Sequence, residues 1–303
     1  MVRQEIRRIV SPGETDIPLQ TLILSISSKC HYKCEHCFEG KNLTMQEQLS
    51  LADLKKVLRE AIRMKIPHIQ LGGGEPMLRY RDMLELLELG REHMEFWLST
   101  SGYELSPEKA RDLKDSGLTG ANISLDHWDE EKHNRFRNHP EAYRWALKAV
   151  ENCKAVGIVP NLTLCVTHQM ATEVHLMKYL RLARDLEVPF VRFLEARRAG
   201  NYAGKDVLLN RQEQETVLTF FHKMNGSARY RFYPIIQYPG YHQRNIGCYG
   251  AGNRYIHIDS AGYYHSCPFC RGAVGHIKEM ELSEGIRLLR EQGCQLFKTN
   301  PYA

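Results

Sequence analysis

The feature that most restricts the fold of this sequence is a strict alternation of short apolar segments and longer amphipathic segments between residues 20 and about 225. The apolar segments have the length of buried strands, and the amphipathic ones carry apolar residues at helical spacing. A strand that returns to its sheet through a helix makes a right-handed crossover and lies parallel to its neighbour. The alternation therefore predicts a parallel sheet covered by helices, with strands at residues 22–27, 68–72, 96–100, 122–126, 161–167 and 190–194.

The helices carry their own start and stop signals. Ser50 precedes a helical stripe of apolar residues, and Asp53 completes a capping-box pattern. Ser106, followed by Pro107, marks the start of another helix, and Gly117 marks its end. These local signals support the interpretation of the intervening segments as helices.

The chain changes character after residue 225. Aromatic residues, glycines and cysteines become frequent, and two short segments at 255–259 and 263–265 flank a turn at Gly262, which predicts a hairpin. We interpret the chain as a short extension (1–19), a main domain (20–225) and a small carboxy-terminal module (226–303).

Composition and charge exclude several classes of protein. Hydrophobic residues make up 43% and charged residues 25% of the 303 residues, so disordered and fibrous classes are excluded. The net charge is +5 and the basic residues are dispersed, which gives little support to nucleic-acid binding. The chain has no secretory signal and no apolar run of about 18 residues, which predicts a cytoplasmic protein without a membrane span. In that reducing compartment, clustered cysteines are metal ligands more often than disulfides.

Three of the nine cysteines, Cys30, Cys34 and Cys37, follow the first predicted strand within one short loop. Such a loop can wrap three thiolates around an iron–sulfur cluster and leave one of four irons open. An open coordination position is typical of metal sites that perform chemistry. The alternative is a structural zinc site with His31 or His36 as the fourth ligand.

This cysteine spacing resembles the signature of the radical S-adenosylmethionine family, Cys-x3-Cys-x2-Cys. Residues 72–76, Gly-Gly-Gly-Glu-Pro, follow the second predicted strand, where that family has its Gly-Gly-Glu-Pro segment. The resemblance implies an α/β fold, a partial (β/α)6 TIM-type barrel, with a [4Fe–4S] cluster on the three cysteines. It also implies that Gly73, Gly74 and Glu75 bind the methionine amino group of the cofactor S-adenosylmethionine.

Further segments are similar to this family, at residues 100–102, 124–126 and 133–137. The similarity implies that His36 packs near the adenine of the cofactor and that Ser124 lies near its ribose or methionine end. Arg137 becomes a candidate for binding the cofactor carboxylate. The resemblance covers about residues 20–200.

The last quarter of the chain holds a second set of cysteines. Their spacing resembles the auxiliary-cluster modules called twitch and SPASM, and four thiolates suffice for one closed [4Fe–4S] cluster. Phe297 stands where relatives often have a further cysteine, which leaves open a cluster with one free iron or a degenerate site. Zinc bound by four cysteines is the structural alternative. The candidate ligands are Cys248, Cys267, Cys270 and Cys294.

Strand alternation predicts which side chains face the barrel interior. Cys165 among them is a candidate hydrogen donor to a substrate radical, the alternative being a small core residue. Arg192, with Arg197 and Arg198, is a candidate for binding a carboxylate or phosphate, the alternative being a solvated basic edge or a docking face for an electron donor. The predicted inward set is His68, Gln70, Asn122, Ser124, Asp126, Asn161, Thr163, Cys165, Thr167 and Arg192.

The resemblance implies reductive cleavage of S-adenosylmethionine and abstraction of a substrate hydrogen, with electrons from an external donor such as flavodoxin or ferredoxin. An auxiliary cluster favours a redox outcome, which predicts an oxidoreductase-type enzyme that dehydrogenates or epimerises a small molecule such as a sugar or aminocyclitol. Only about 20 residues precede the first predicted strand, too few for a leader-binding domain. A peptide-modifying maturase is the alternative enzyme, and a zinc or iron–sulfur binding module is the non-enzymatic one.

Overall fold

The computed structural model describes residues 19–270, 272–294 and 296–297. They form an α/β protein built around one sheet. Its strands are β1 (Thr21–Ser27), β2 (His68–Gly73), β3 (Glu95–Thr100), β4 (Leu118–Ser124), β5 (Val159–Val166), β6 (Phe190–Glu195), β7 (Ile235–Gln237), β8 (Tyr255–Ile258) and β9 (Tyr264–His265). The helices are α1 (Leu51–Arg63), α2 (Tyr80–Gly90), α3 (Pro107–Asp115), α4 (Glu130–Arg137), α5 (Ala142–Val156), α6 (Glu173–Asp185), α7 (Arg211–Gly226), α8 (Pro239–Ile246) and α9 (Leu282–Gln292).

The sheet is an open, mostly parallel barrel. Its strand order is β7-β6-β5-β4-β3-β2-β1-β8-β9, and within the described residues β7 and β9 form its two unjoined edges. Strands β1 to β8 are parallel to their neighbours, whereas β9 pairs antiparallel with β8. The predicted partial barrel is therefore confirmed.

Strand β4 begins at Leu118, earlier than the predicted start at residue 122. Gly120 lies in this added part and pairs with Trp97 of β3. A Cβ atom at Gly120 would lie 2.7 Å from the Trp97 indole ring, so only glycine fits beneath it. Glycine is a weak strand former on its own, which explains why local sequence missed this part of the strand.

The carboxy-terminal residues supply strands at both edges of the same sheet. Strand β7 pairs with β6, and the predicted hairpin, now β8 and β9, pairs with β1. This arrangement brings the chain after β8 alongside the loop that follows β1. The domain boundary at residue 226 stays a prediction.

The helix signals act as the sequence predicts. The Ser50 hydroxyl accepts from the Asp53 backbone N–H at 3.1 Å, and the Asp53 carboxylate accepts from the Ser50 N–H at 2.9 Å. Ser106 caps α3 by accepting from the Lys109 N–H at 3.3 Å. Among the described residues, no helix is both long and apolar enough to cross a bilayer.

Candidate active site

The first cysteine loop follows β1 at the carboxyl edge of the sheet, where ligands of parallel α/β folds bind. Cys34 is buried and Cys30 and Cys37 are half-buried. The Tyr32 backbone N–H donates to Cys30 Sγ at 3.4 Å, and Arg137 Nη1 donates to Cys34 Sγ at 3.8 Å. The loop thus presents three enclosed sulfur atoms, two of them already hydrogen-bonded.

Burial makes these thiols difficult to ionise in the protein alone. Burial and then the Glu75 carboxylate raise the pKa of Cys30 to about 12. Burial and then Cys34 raise the pKa of Cys37 to about 11, whereas at Cys34 the Arg137 charge opposes the effect of burial. A bound iron–sulfur core supplies positive charge to this thiol set, and iron favours thiolate ligands, so the donor set fits a cluster.

The glycine-rich segment after β2 lies directly on the cysteine loop, backbone against backbone. Gly73 has φ +126°, and a Cβ atom there would lie 2.3 Å from the Ser27 carbonyl oxygen. A Cβ atom at Gly74 would lie 2.1 Å from the Lys29 carbonyl oxygen. Glycine is required at both positions because only a residue without a side chain permits this approach.

Glu75 is the charged residue of this segment, and it is fixed by residues at the end of β3. Its carboxylate accepts from Thr100 Oγ1 at 2.7 Å, from the Ser101 N–H at 2.9 Å and from the Ser101 hydroxyl. Burial raises the pKa of Glu75, while these hydrogen bonds favour its charged form. The sequence interpretation missed these hydrogen bonds to Glu75. The similarity of residues 100–102 to the radical S-adenosylmethionine family was the signal that could have revealed them. Cofactor binding by Gly73, Gly74 and Glu75 stays a prediction.

Arg137 is held by a buried carboxylate. Asp126 Oδ2 lies 2.6 Å from the Arg137 guanidinium, and Asp126 Oδ1 accepts from the Cys165 backbone N–H at 2.9 Å. Burial acts to raise the pKa of Asp126, but the Arg137 charge, together with nearby histidines and the Cys165 N–H bond, outweighs burial, and the pKa lies below its ordinary value. Asp126 was predicted only to point inward, and its pairing with Arg137 was missed. The proposed contact of Arg137 with the cofactor carboxylate stays a prediction.

His36 and Ser124 both precede this ion pair in the sequence. The His36 ring stacks on Phe136 with centroids 4.5 Å apart. His36 Nδ1 is buried without a hydrogen-bond partner, and burial lowers the pKa of His36 to about 4. Ser124 ends β4 and is half-buried. Their predicted places beside adenine and ribose are not tested by this geometry.

Cys165 and Arg192 occupy the inner face of the barrel. Cys165 is buried against Ala196 and Tyr202, and burial raises its pKa well above the ordinary thiol value. Arg192 lies on β6 in register with Thr163 of β5. Arg198, by contrast, is exposed and pairs with Asp206 at 3.2 Å. The hydrogen-donor role of Cys165 stays a prediction.

The second cysteine set is drawn together by the hairpin and the end of α9. The Cys294 thiol interacts with Cys248 and with Cys270, and Cys270 also interacts with Cys267. These interactions lower the pKa of Cys294 and Cys267 and raise that of Cys248 and Cys270. The Phe297 backbone N–H donates to Cys294 Sγ at 3.3 Å. Four soft donors in contact fit a thiolate-bound cluster.

In the described part of the chain, no three His, Cys, Asp or Glu side chains form a site for one metal ion. A four-iron cluster is a larger group than a single ion and takes one thiolate at each iron. The ligand role of these cysteines stays a prediction.

Aromatic and polar side chains connect the two cysteine sets. Phe38, next to Cys37, packs edge-on against Phe269, next to Cys270, with ring centroids 5.9 Å apart. Beneath them, His257 Nε2 lies 2.9 Å from Ser25 Oγ. The sequence interpretation missed this connection because it depends on the pairing of β8 with β1.

This chain is similar to solved structures in fold and to curated proteins in sequence. Streptococcus suis SuiB bound to precursor peptide SuiA superposes with a TM-score of 0.72 at 16% identity, covering 98% of this chain and 71% of that chain. A structure of anSMEcpe with bound AdoMet and Cp18Cys peptide superposes with a TM-score of 0.70 at 18% identity, covering 90% of this chain and 82% of that one. At these identities the likeness establishes the fold alone.

Among curated proteins, Fe-coproporphyrin III synthase of Methanosarcina barkeri is 27% identical over 198 residues, 64% of this chain and 49% of that protein. GTP 3',8-cyclase of Aliarcobacter butzleri is 28% identical over 193 residues, 61% of this chain and 57% of that protein. The chain spans about half the length of the curated relatives it matches. The Radical SAM superfamily model matches residues 24–183, which include the first cysteine loop and the glycine-rich segment. This protein belongs to the radical SAM superfamily, whose members use S-adenosylmethionine and a [4Fe–4S] cluster.

Proposed function

We propose that this radical SAM enzyme is an oxidoreductase that dehydrogenates or epimerises a small molecule inside the barrel. Cys30, Cys34 and Cys37 hold the cluster that binds S-adenosylmethionine. An external donor such as flavodoxin or ferredoxin supplies electrons. One auxiliary [4Fe–4S] cluster is held by Cys248, Cys267, Cys270 and Cys294.

The meeting of the four carboxy-terminal thiols beside the first loop carries this proposal. Their sequence positions span 248 to 294, yet they lie close enough to shift one another's pKa. The contact between Phe38 and Phe269 joins the neighbour of Cys37 to the neighbour of Cys270, which supports an arrangement of the two cysteine sets side by side. A redox group at this position can exchange an electron with a substrate bound in the barrel, which supports a redox outcome.

The residues around the first loop have distinct tasks in this proposal. When bound, S-adenosylmethionine supplies a 5′-deoxyadenosyl group that removes one hydrogen atom from the substrate. Gly73 and Gly74 keep the backbone open for a ligand, and Glu75 is oriented by Thr100 and Ser101 toward a positively charged group. Arg137 offsets the negative charge of the thiolates.

The two redox outcomes differ in the fate of the substrate after it loses the hydrogen atom. In dehydrogenation, the substrate would lose one further electron, which the auxiliary cluster would accept, and one proton to water, so two hydrogens would leave in total. In epimerisation, a hydrogen atom would return from the opposite side. Cys165 is suited to return it because burial keeps its thiol protonated, and its thiyl radical would regain one electron from the external donor and one proton from water.

Small molecules are the proposed substrates because the names of the matched relatives point that way. Fe-coproporphyrin III synthase, GTP 3',8-cyclase and pre-heme d1 synthase are all named for small molecules. The peptides in the SuiB and anSMEcpe structures belong to proteins that share only the fold with this chain.

Electron paramagnetic resonance of the anaerobically purified, reduced protein tests this proposal. We expect about eight irons per chain and two cluster signals, of which one changes when S-adenosylmethionine is added. Reductant should then yield 5′-deoxyadenosine. Stoichiometric zinc without cluster absorption would contradict both cluster assignments. A Cys165→Ala variant separates the outcomes, since it should stop deuterium uptake from D2O into an epimerised product but leave dehydrogenation intact.

A further inference from the structure

A row of polar side chains crosses the inner face of the barrel. Asn161 Nδ2 donates to Asn122 Oδ1 at 2.9 Å and to Gln237 Oε1 at 3.3 Å. Gln237 Oε1 also accepts from Arg192 Nε at 3.0 Å. The row therefore connects β4, β5, β7 and β6 through neutral amides and ends at one cation.

That cation has a neutral partner and no carboxylate. Among the described residues, the ion pairs do not include Arg192, and its side-chain hydrogen bond is the one from Nε to Gln237. Burial lowers the pKa of Arg192 to about 10, so the guanidinium stays charged at neutral pH. Arg192 is half-buried. Charges removed from water in proteins are normally paired, and a half-buried guanidinium without an anion is therefore expected to meet one in a ligand.

Two further polar atoms beside Arg192 lack hydrogen-bond partners. Asn161 Oδ1 and Thr163 Oγ1 are buried and have no hydrogen-bond partner. Thr163 is in register with Arg192, and Asn161 lies two positions before it on β5. Buried polar atoms without partners are uncommon in folded proteins, and a bound polar molecule would satisfy them.

Among the described residues of this row, Arg192 is the single cation, and Arg254 of the neighbouring cavity lies over the Tyr249 ring. The pKa of His68 on β2 is lowered to about 4, mainly by burial and to a smaller extent by the Arg192 charge. His68 is therefore neutral at pH 7, with Nδ1 3.1 Å from Thr21 Oγ1. Asp126, the nearest inward carboxylate along β4, is already paired with Arg137.

An opening reaches this row from the unjoined side of the barrel. A cavity of about 560 Å³ is lined by residues at the start of β1 and β8 and by β7, including Thr21, Tyr255 and Gln237. Gln237 touches both the cavity and Arg192. The cavity is therefore separated from Arg192 by one hydrogen-bonded side chain, that of Gln237.

We propose that Arg192 binds a carboxylate group of the substrate, while Thr163 Oγ1 and Asn161 Oδ1 bind polar groups beside that carboxylate. This proposal rests on the proposed function and adds the chemical class of the substrate. The single cation matches the single charge of a carboxylate, whereas a phosphate monoester carries about −1.5 to −2 at pH 7 and would leave charge unmatched. Asn161 Oδ1 and Thr163 Oγ1 provide hydrogen-bonding groups for a polar substituent beside the carboxylate.

Saturation-transfer NMR with acetate on the anaerobic holoprotein tests the subsite. We expect transfer to acetate on wild type, a signal at least about fivefold weaker on Arg192→Gln, and a weak signal for the neutral isostere acetamide on both. Arg198→Gln removes an equal charge from the end of the same strand and should leave the acetate signal unchanged. Arg192→Lys keeps the positive charge but not the planar guanidinium, so the acetate signal on this variant should be intermediate. If Arg192→Gln does not fold, Arg192→Lys takes its place in the comparison.

Equal acetate signals on wild type and Arg192→Gln, or no acetate signal on wild type, would overturn the subsite. Methyl phosphate binding more tightly than acetate would overturn the choice of carboxylate. Formation of 5′-deoxyadenosine by wild type, measured in the same samples without substrate, tests the proposed function separately. Failure of wild type to form it would contradict the proposed function and leave the acetate result standing.

Discussion

The two cysteine sets differ in the chain segments that supply them and in the groups that shift the pKa of their thiols. The first lies within residues 30–37 on one loop after β1, and its charge is balanced from outside by Arg137. The second comes from three separate parts of the chain, and its thiols shift one another's pKa because they lie close together. The first set therefore depends on a cation fixed by the fold, and the second depends on the meeting of distant segments.

This difference separates a site with an open position from a closed one. Three thiols beside Arg137 and Glu75 leave room for a charged cofactor. Four thiols account for every iron of a four-iron cluster. Substitutions at the two sets should therefore have different consequences, and the experiments below are ordered by the size of the expected effect.

Replacing Cys30, Cys34 and Cys37 together by Ala should abolish formation of 5′-deoxyadenosine. Iron should fall from about eight to about four per chain, because the second set keeps its ligands. Iron analysis and chromatography of the reaction mixture measure both. Cys153→Ala, a buried core position on α5, is the matched control and should keep both clusters. Cofactor cleavage at the wild-type rate in the triple variant would place the active cluster at the other set.

Arg137→Gln should destabilise the protein by about 3–5 kcal/mol because it leaves the Asp126 carboxylate buried without its partner. The double variant Asp126→Asn with Arg137→Gln should recover much of this loss. Urea unfolding measures the difference. Arg135→Gln, which breaks an exposed pair with Glu131 on the same helix α4, should cost less than about 1 kcal/mol. A double variant less stable than Arg137→Gln would show that Asp126 is stabilised chiefly by its other contacts.

Cys294→Ala and Cys270→Ala should each remove about four irons or convert the second cluster to a smaller type. Formation of 5′-deoxyadenosine should stay within about twofold of wild type, since the first set is intact. Product formation should fall more, because the substrate electron loses its acceptor. Full iron content in either variant would remove that cysteine from the proposed ligand set and indicate a free iron in the auxiliary cluster.

The contact between the two sets is expected to have the smallest effect. A double-mutant cycle with Phe38→Ala and Phe269→Ala should give a coupling energy of about 0.5–1.5 kcal/mol for the edge-on aromatic pair. Urea unfolding of the four proteins measures it. Strictly additive losses would mean that the two sets are neighbours without energetic coupling.

Local sequence determined the elements and the first cysteine loop. The capping pair of Ser50 and Asp53 and the cap at Ser106 act within one helical turn, so sequence neighbours alone decide them. The loop at residues 30–37 and the glycine-rich segment are likewise contiguous. Short-range patterns of this kind can be recognised from the sequence because they do not depend on which distant segments pack against them.

Only the tertiary structure decided which of these pieces meet. The pairing of β8 with β1, the Asp126–Arg137 ion pair and the Thr100 and Ser101 bonds to Glu75 join residues remote in sequence. The alternation predicted that Arg192 faces inward, but not that its partner would be Gln237 of β7. Strand order and register are set by packing over the whole sheet. The neighbours of a buried charge are therefore fixed only when the chain has folded.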